Sequence, residues 1–384
     1  MASRIFTALS VALFLISSAA GQKNSPVTHD YLVYVGTYTQ RGSHGIYAYR
    51  YQEGSGKLTP LGLAAATENP SFLTIHPNGR FLYAVNEMQK YRGEASGAVT
   101  AFSLDPGTGK LTEINELASR GADPCYIAVD HGGKFVLVAN YTGGNVAVFP
   151  IREDGGLAEA SAFDQHTGSG PNKDRQEAPH AHWLDVSADN QFALNADLGL
   201  DEVVVYRFDP AKGTLAPNDP PFAKVDPGAG PRHIAIHGKF VYVINEINST
   251  ITEFTWDAKA GTLKKVQSWP TLAKDFHGEN TTAEIVVHPS GKFLYASNRG
   301  EDTIAVFAIN PASGALTFVE RVPSGGKEPR NFAIDPAGRR LFAANQESDN
   351  IVIFNLDPRT GRLKPTGQVL KVAAPVCIQF VAAE

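Results

Sequence analysis

Apolar residues along this chain gather in short runs punctuated by turn-forming residues, and two such runs recur as a pair. The pair reads PSFLTIHPNGRFLYAVNE from residue 70, PCYIAVDHGGKFVLVANY from 124, AHWLDVSADNQFALNADL from 181, PRHIAIHGKFVYVINE from 231, TAEIVVHPSGKFLYASNR from 282 and PRNFAIDPAGRRLFAANQ from 329. A seventh copy begins at Pro375 as PVCIQFVAAE. A second signature, a reversal rich in Gly, also comes seven times: YQEGSGKL, LDPGTGKL, REDGGL, FDPAKGTL, WDAKAGTL, INPASGAL and LDPRTGRL. Asp or Asn at its start and Gly near its end supply the backbone angles of a tight turn. Each unit therefore predicts four short antiparallel strands: A before the HPNG-type turn, B ending in Asn, C as in DTIAVFAIN, and D after the Gly turn. Repeated four-stranded units are the mark of β-propeller blades. The missing B, C and D strands of the last unit are DYLVYVGTY, GIYAYRY and LTPLG near the N-terminus. The expectation is one all-β domain over residues 30–384, a seven-bladed β-propeller closed by pairing of its N- and C-terminal strands, which removes the exposed sheet edges.

Repetition lets the chain serve as its own control. The third and fifth positions of strand A, counted after its opening residue, are apolar in every copy, from Leu73 and Ile75 to Ile378 and Phe380, and predict the core between blades. The first position varies: Ser71, Cys125, His182, Arg232, Ala283, Arg330, Val376. So does the second: Phe72, Tyr126, Trp183, His233, Glu284, Asn331, Cys377. The residue after the strand-B Asn varies too: Glu87, Tyr141, Leu198, Glu246, Arg299, Gln346, with Thr37 at the N-terminal strand. Strand A starts beside the end of its antiparallel neighbour B, so both sets belong to one rim of the ring. Strand A is innermost, and that rim surrounds the central channel, a usual ligand position. His182, Arg232, His233, Glu246, Glu284, Arg299 and Arg330 should converge there. Paired charges that do no chemistry also line such channels. A rim with more cations than anions nevertheless suits an anionic ligand. His76, His237 and His288 fall in the A-to-B turn at the other end and are expected to be turn residues.

The first twenty-one residues break the pattern, with Arg4, an apolar run from Ile5 to Ile16, and then SSAAG. This predicts a secretory signal peptide over residues 1–21 and a product that is periplasmic or secreted. The run falls short of the roughly 20 residues a membrane-crossing helix needs; an uncleaved anchor is the alternative. A formal net charge of -5 argues against a nucleic-acid partner. Export permits a disulfide, but Cys125 and Cys377 fall in non-adjacent blades, so two buried thiols are expected. No G-x-S-x-G, H-E-x-x-H, G-x-G-x-x-G or C-x-x-C occurs, which lowers serine-hydrolase, zincin and dinucleotide readings. His180 and His182 form H-x-H without a third ligand at fixed spacing, so no metal and no cofactor is expected.

The runs RQEAPHAH, DLGLDEVVVYRFD, GPRHIAIHGKFVYVINE, AEIVVHPSGKFLYASNRGEDTIAVF and PRNFAIDPAGRRLFAANQESDNIVIF resemble the seven-bladed propeller lactonase family, which includes bacterial 6-phosphogluconolactonases and fungal carboxy-muconate lactonizing enzymes. The resemblance covers residues 31 to 384. It implies hydrolysis of a small anionic lactone, with a catalytic His at His182 or its neighbour His180, Arg232, Glu246 and Arg299. Arg175, His180, His233, Glu284, Arg330 and Asn331 are expected to bind substrate. In the mechanism so implied, His182 takes a proton from the attacking water. Arg232 and Arg299 hold the anion and the oxyanion, while Glu246 orients the His or protonates the leaving alkoxide. The signal peptide departs from a cytoplasmic sugar-phosphate pathway and leaves the phosphorylation of the substrate open. A non-catalytic exported propeller acting as a binding module is the alternative, and a calcium-dependent lactonase ranks behind both. A monomer is expected, since a closed ring has no edge to share.

Overall fold

A computed structural model describes residues 29–383; the expected signal peptide at 1–21 lies outside them. The described residues form seven four-stranded antiparallel sheets. Strand A opens at Leu73, Pro124, Ala181, Pro231, Thr281, Pro329 and Pro375 in blades one to seven. Blade seven joins the C-terminal strand Pro375–Ala382 to Asp30–Thr37, Gly45–Gln52 and Lys57–Ala66. Its closing register runs from Tyr31 opposite Ala382 to Thr37 opposite Pro375. The only helical segment among the described residues is a single turn, Gln346–Ser348.

Period-2 alternation in strands A, B and C presents apolar residues to both neighbouring blades, because each sheet is covered on both faces. Each of the seven seams between blades holds one apolar cluster. Strand B lies wholly inside: Phe81–Asn86, Phe135–Asn140 and Phe240–Asn245 are buried along their length. The third strand-A position is buried in all blades, from Leu73 to Ile378. The fifth position is only half-buried except at Val186, because strand A is approaching the turn there and its neighbours thin out.

The Gly of the strand C-to-D turn is demanded twice. Gly155, Gly213 and Gly261 have φ of 85°, 66° and 67°, a region that side chains disfavour. A Cβ on each would also stand 2.2 Å from the ring of Phe81, Phe135 or Phe192 in the preceding blade. Tyr83, Tyr242 and Tyr295 donate across their seams to the carbonyls of Gly155, Gly314 and Gly361 at 2.9, 2.7 and 2.8 Å. The turn histidines are turn residues with an added role. The His76 and His288 rings reach the carbonyls of Gly133 and Gly338 in the next blade at 2.9 and 2.8 Å. Both cysteines are free and buried.

Candidate functional site

Strand A carries a β-bulge near its start in blades two to seven. Pro124 pairs with Asn140 and Tyr126 with Ala139, leaving Cys125 unopposed. The same shift isolates His182, Arg232, Arg330 and Val376, and takes in Ala283 and Glu284 in blade five. An inserted residue bends the strand and re-aims its side chain. Two consecutive residues per blade thus reach the channel instead of one. In blades one, two, six and seven the residue before the opening Pro (Asn69, Asp123, Glu328, Ala374) has φ between 42° and 58°, an uncommon conformation that sets the entry angle of the strand.

Three first-position residues, Cys125, His182 and Arg330, face a cavity of about 330 Å³ at the channel mouth, lined also by Glu87, Tyr141, Arg175, Glu246, Thr281, Arg299 and Glu328. Second-position residues Phe72, Tyr126, Trp183, Glu284 and Asn331 face a chamber of about 380 Å³ further along the axis. Between the two, Arg232 and His233 border a void of about 10 Å³. An apolar groove of about 380 Å³ on the outer strands, around Trp269, Phe307 and Phe318, has no carboxylate, histidine, serine or cysteine in its lining. The mouth cavity, where carboxylates, guanidiniums and a histidine meet, is the candidate site.

Glu246 is its hub. The backbone N–H of Glu246 donates to Gly230 O at 2.7 Å, and its carbonyl accepts Thr282 N–H at 3.2 Å, which fixes the residue between blades four and five. Oε2 accepts Arg232 Nε–H at 2.9 Å and pairs with Arg299 Nη2 at 2.9 Å, while Oε1 accepts Arg175 Nη2–H at 2.5 Å. Burial opposes the negative charge, but Arg299, Arg232 and Arg175 outweigh it and hold the carboxyl at about 2. Glu246 is therefore a carboxylate at any ordinary pH. It makes no hydrogen bond to His182, so the structure supports neither proton donation to the alkoxide nor orientation of the His. Its chemistry is to gather guanidiniums.

Arg175 arrives on the long loop between blades two and three. Buried Gln176 pins that loop by donating to Leu198 O at 2.8 Å and Asp201 Oδ1 at 2.7 Å. Arg299 Nη2 also donates to Thr282 O at 2.9 Å, and its Nε is buried without a partner. Arg330 lies over the Tyr38 ring at 5.3 Å and 4.0 Å from Glu87 Oε1. Its guanidinium makes no hydrogen bond among the described residues. The cationic surplus expected at the rim is thus largely consumed by carboxylates, with Arg330 the least engaged of the four arginines.

The two histidines of PHAH part company. His182 lies in the cavity wall, 4 % exposed, with Nδ1 lacking a partner. Burial, then Arg232, His233 and Arg330, keep its pKa well below the ordinary 6.5, so the imidazole is neutral. His180 precedes the strand and stacks behind Tyr141, with centroids 4.4 Å apart, its ring bonded to Tyr141 O and Glu177. It does not line the cavity. His233, Glu284 and Asn331 lie one layer deeper and bond to one another. Glu87 and Tyr141 join the wall; the position after strand B marked them in the sequence, but a lone Glu and a Tyr carried no chemical pattern there. Tyr38, which donates to Glu87 Oε1 and lies under Arg330, stands one residue beyond the position that varies among blades and carries no signal in the sequence.

Fold and site define a seven-bladed propeller with an ion-bonded polar cavity at one mouth of its channel. Residues 32–380 match the model of the family described as Lactonase, 7-bladed beta-propeller. The chain is 37 % identical over 354 residues to the 6-phosphogluconolactonase of Bacillus subtilis, covering 91 % of this chain and 98 % of that one. It is 36 % identical over 308 residues to the 6-phosphogluconolactonase of Formosa agariphila, covering 79 % and 86 %. The solved structure of a periplasmic gluconolactonase of Pseudomonas aeruginosa superposes with a TM-score of 0.86 at 37 % identity, covering 92 % of this chain and all of the other. The chain belongs to the seven-bladed β-propeller lactonase family.

Proposed function

We propose that this protein is an exported, monomeric hydrolase that opens a gluconolactone-type sugar lactone in the mouth cavity. The observation that carries the reading is the pairing, in one cavity, of a neutral buried imidazole at His182 with guanidiniums at Arg299 and Arg330. The names of the relatives support the substrate class. His182 accepts a proton from water as the water oxygen attacks the lactone carbonyl carbon, and the carbonyl electrons move onto oxygen. Arg299, in the wall of the same cavity, supplies a guanidinium to that oxyanion. Collapse breaks the ring C–O bond, and the departing alkoxide takes the proton back from the imidazolium. That imidazolium, beside Arg232 and Arg330, is a strong acid, which favours return of the proton. Arg330, free of hydrogen bonds, takes an anionic substituent where the substrate carries one.

The test is lactone opening followed with a pH indicator on gluconolactone, its 6-phosphate and a carboxy-muconolactone, against spontaneous hydrolysis. Turnover of a sugar lactone that falls by about a hundredfold or more in a folded His182→Ala variant supports the reading. Rates equal to the background for all three substrates refute it and leave the binding-module alternative.

A further inference from the structure

A hydrogen-bonded chain beneath the cavity runs through four blades, and the direction of every bond in it is forced. It begins in blade seven, where the backbone N–H of Ile378 donates to Asn331 Oδ1 at 3.0 Å. That fixes the amide so that Nδ2 donates to Glu284 Oε2 at 2.6 Å. Glu284 also accepts the N–H of Ile285 at 3.0 Å and faces His233 Nδ1 at 3.0 Å. The other ring nitrogen, 3.3 Å from Arg232 Nη1, decides the tautomer. A guanidinium cannot accept, so Nε2 must offer a lone pair to Arg232, which leaves the proton of the neutral ring on Nδ1, where it is donated to Glu284 Oε1. The other Nη1 hydrogen goes to Ala283 O at 2.8 Å, and Nε goes to Glu246.

We propose that His233 is a positioning residue whose tautomer, set by Asn331 and Glu284, fixes Arg232 against Glu246 at the floor of the cavity. The catalytic consequence rests on the lactonase reading; the tautomer does not. Glu284, Arg232, Arg330 and His182 surround the ring, Glu87 and Cys125 border the same small void, and Phe72 and the titratable Tyr126 pack edge-on against it at 5.7 and 5.3 Å. A second ring proton at Nε2 would set two donors face to face and push Arg232 off its carboxylate. His233, Glu284 and Asn331 thus act through Arg232 and not by touching substrate. This also accounts for two histidines side by side, with ring centroids 5.2 Å apart: one is free for a proton and the other is committed to hydrogen bonds.

The experiment is long-range proton–nitrogen correlation on protein labelled with ¹⁵N-histidine, the His233 signal being assigned by its loss in His233→Gln. The expected result is a single neutral tautomer protonated at Nδ1 and unchanged between about pH 5 and 8, where ordinary imidazoles titrate. In Glu284→Gln that tautomer should become mixed, and kcat/KM for gluconolactone should fall by about tenfold, the loss of a hydrogen bond to a charged group. An Nε2-protonated or charged His233 in the wild-type protein overturns the proposal, as does a Glu284→Gln variant with tautomer and kcat/KM unchanged. The wild-type spectrum decides the relay even if the variant does not fold. A locked tautomer in a protein without lactone turnover keeps the relay and removes the lactonase reading.

Discussion

Replacing Glu246 by Gln keeps the volume and removes one charge from the centre of three guanidiniums. Two routes give the cost. The carboxyl is held at about 2 against an ordinary 4.5, and at about 1.4 kcal/mol per pH unit that difference amounts to about 3 kcal/mol at neutral pH. Removing one partner of a buried ion pair costs about 3–5 kcal/mol, because the other charge stays buried. Arg232 and Arg299 are 2 % and 8 % exposed, so water cannot replace the lost partner. Urea unfolding, followed by the fluorescence of Trp183, Trp256 and Trp269, should therefore show the variant less stable by about 3 kcal/mol at pH 7. The pH dependence supplies a second check. Because the folded pKa is depressed, the contribution of Glu246 is complete above about 4.5 and disappears as pH falls through about 2. The gap between wild type and variant should narrow across that window. A loss below about 1 kcal/mol, or a gap constant with pH, would refute the reasoning that Glu246 is the electrostatic keystone of the mouth.

Three further outcomes follow from buried groups. His182 has a depressed pKa, so kcat/KM for a sugar lactone should show no fall near 6.5 and should drop only at lower pH, as the imidazole becomes protonated; a limb centred near 6.5 would remove His182 as the base. Glu253 is fully buried in strand C of blade four, both its oxygens unpartnered, and burial pushes it up to about 7. A raised carboxyl pKa costs stability as pH climbs from about 4.5 to 7, so Glu253→Leu should gain up to about 2–3 kcal/mol at neutral pH in urea titrations and little at pH 4; an unstable variant at both pH values would show that the carboxylate has a partner in solution. Cys125 and Cys377 are free and buried, and burial raises both thiols. They should resist a thiol reagent until the protein unfolds, and labelling of the native protein at full stoichiometry would contradict the packing of both strands.

Much of the architecture is a local property of this chain. The unbroken apolar runs FLYAVN and FVYVIN state that both faces of strand B are covered, and the Gly of each reversal states where the chain turns. An apolar run and a positive φ belong to a residue and its near neighbours, so a single copy of the repeat carries them. Comparing copies then placed His182, Arg232, Glu246 and Arg299 at one mouth, because position within a repeat becomes position around a ring.

Only the assembled ring decided what those residues do. The bulge that aims His182 into the cavity is a mismatch between two strands, and nothing in PHAH says that His180 will instead stack behind Tyr141. Glu246 takes Arg175 from the loop between blades two and three, Arg232 from its own strand A and Arg299 from the next blade. That choice of partners fixes the carboxyl as an anion and not as an acid. Hydrogen-bond direction and the sharing of buried charge depend on ångström-scale distances between blades, and such distances exist only after seven distant segments have closed on one axis.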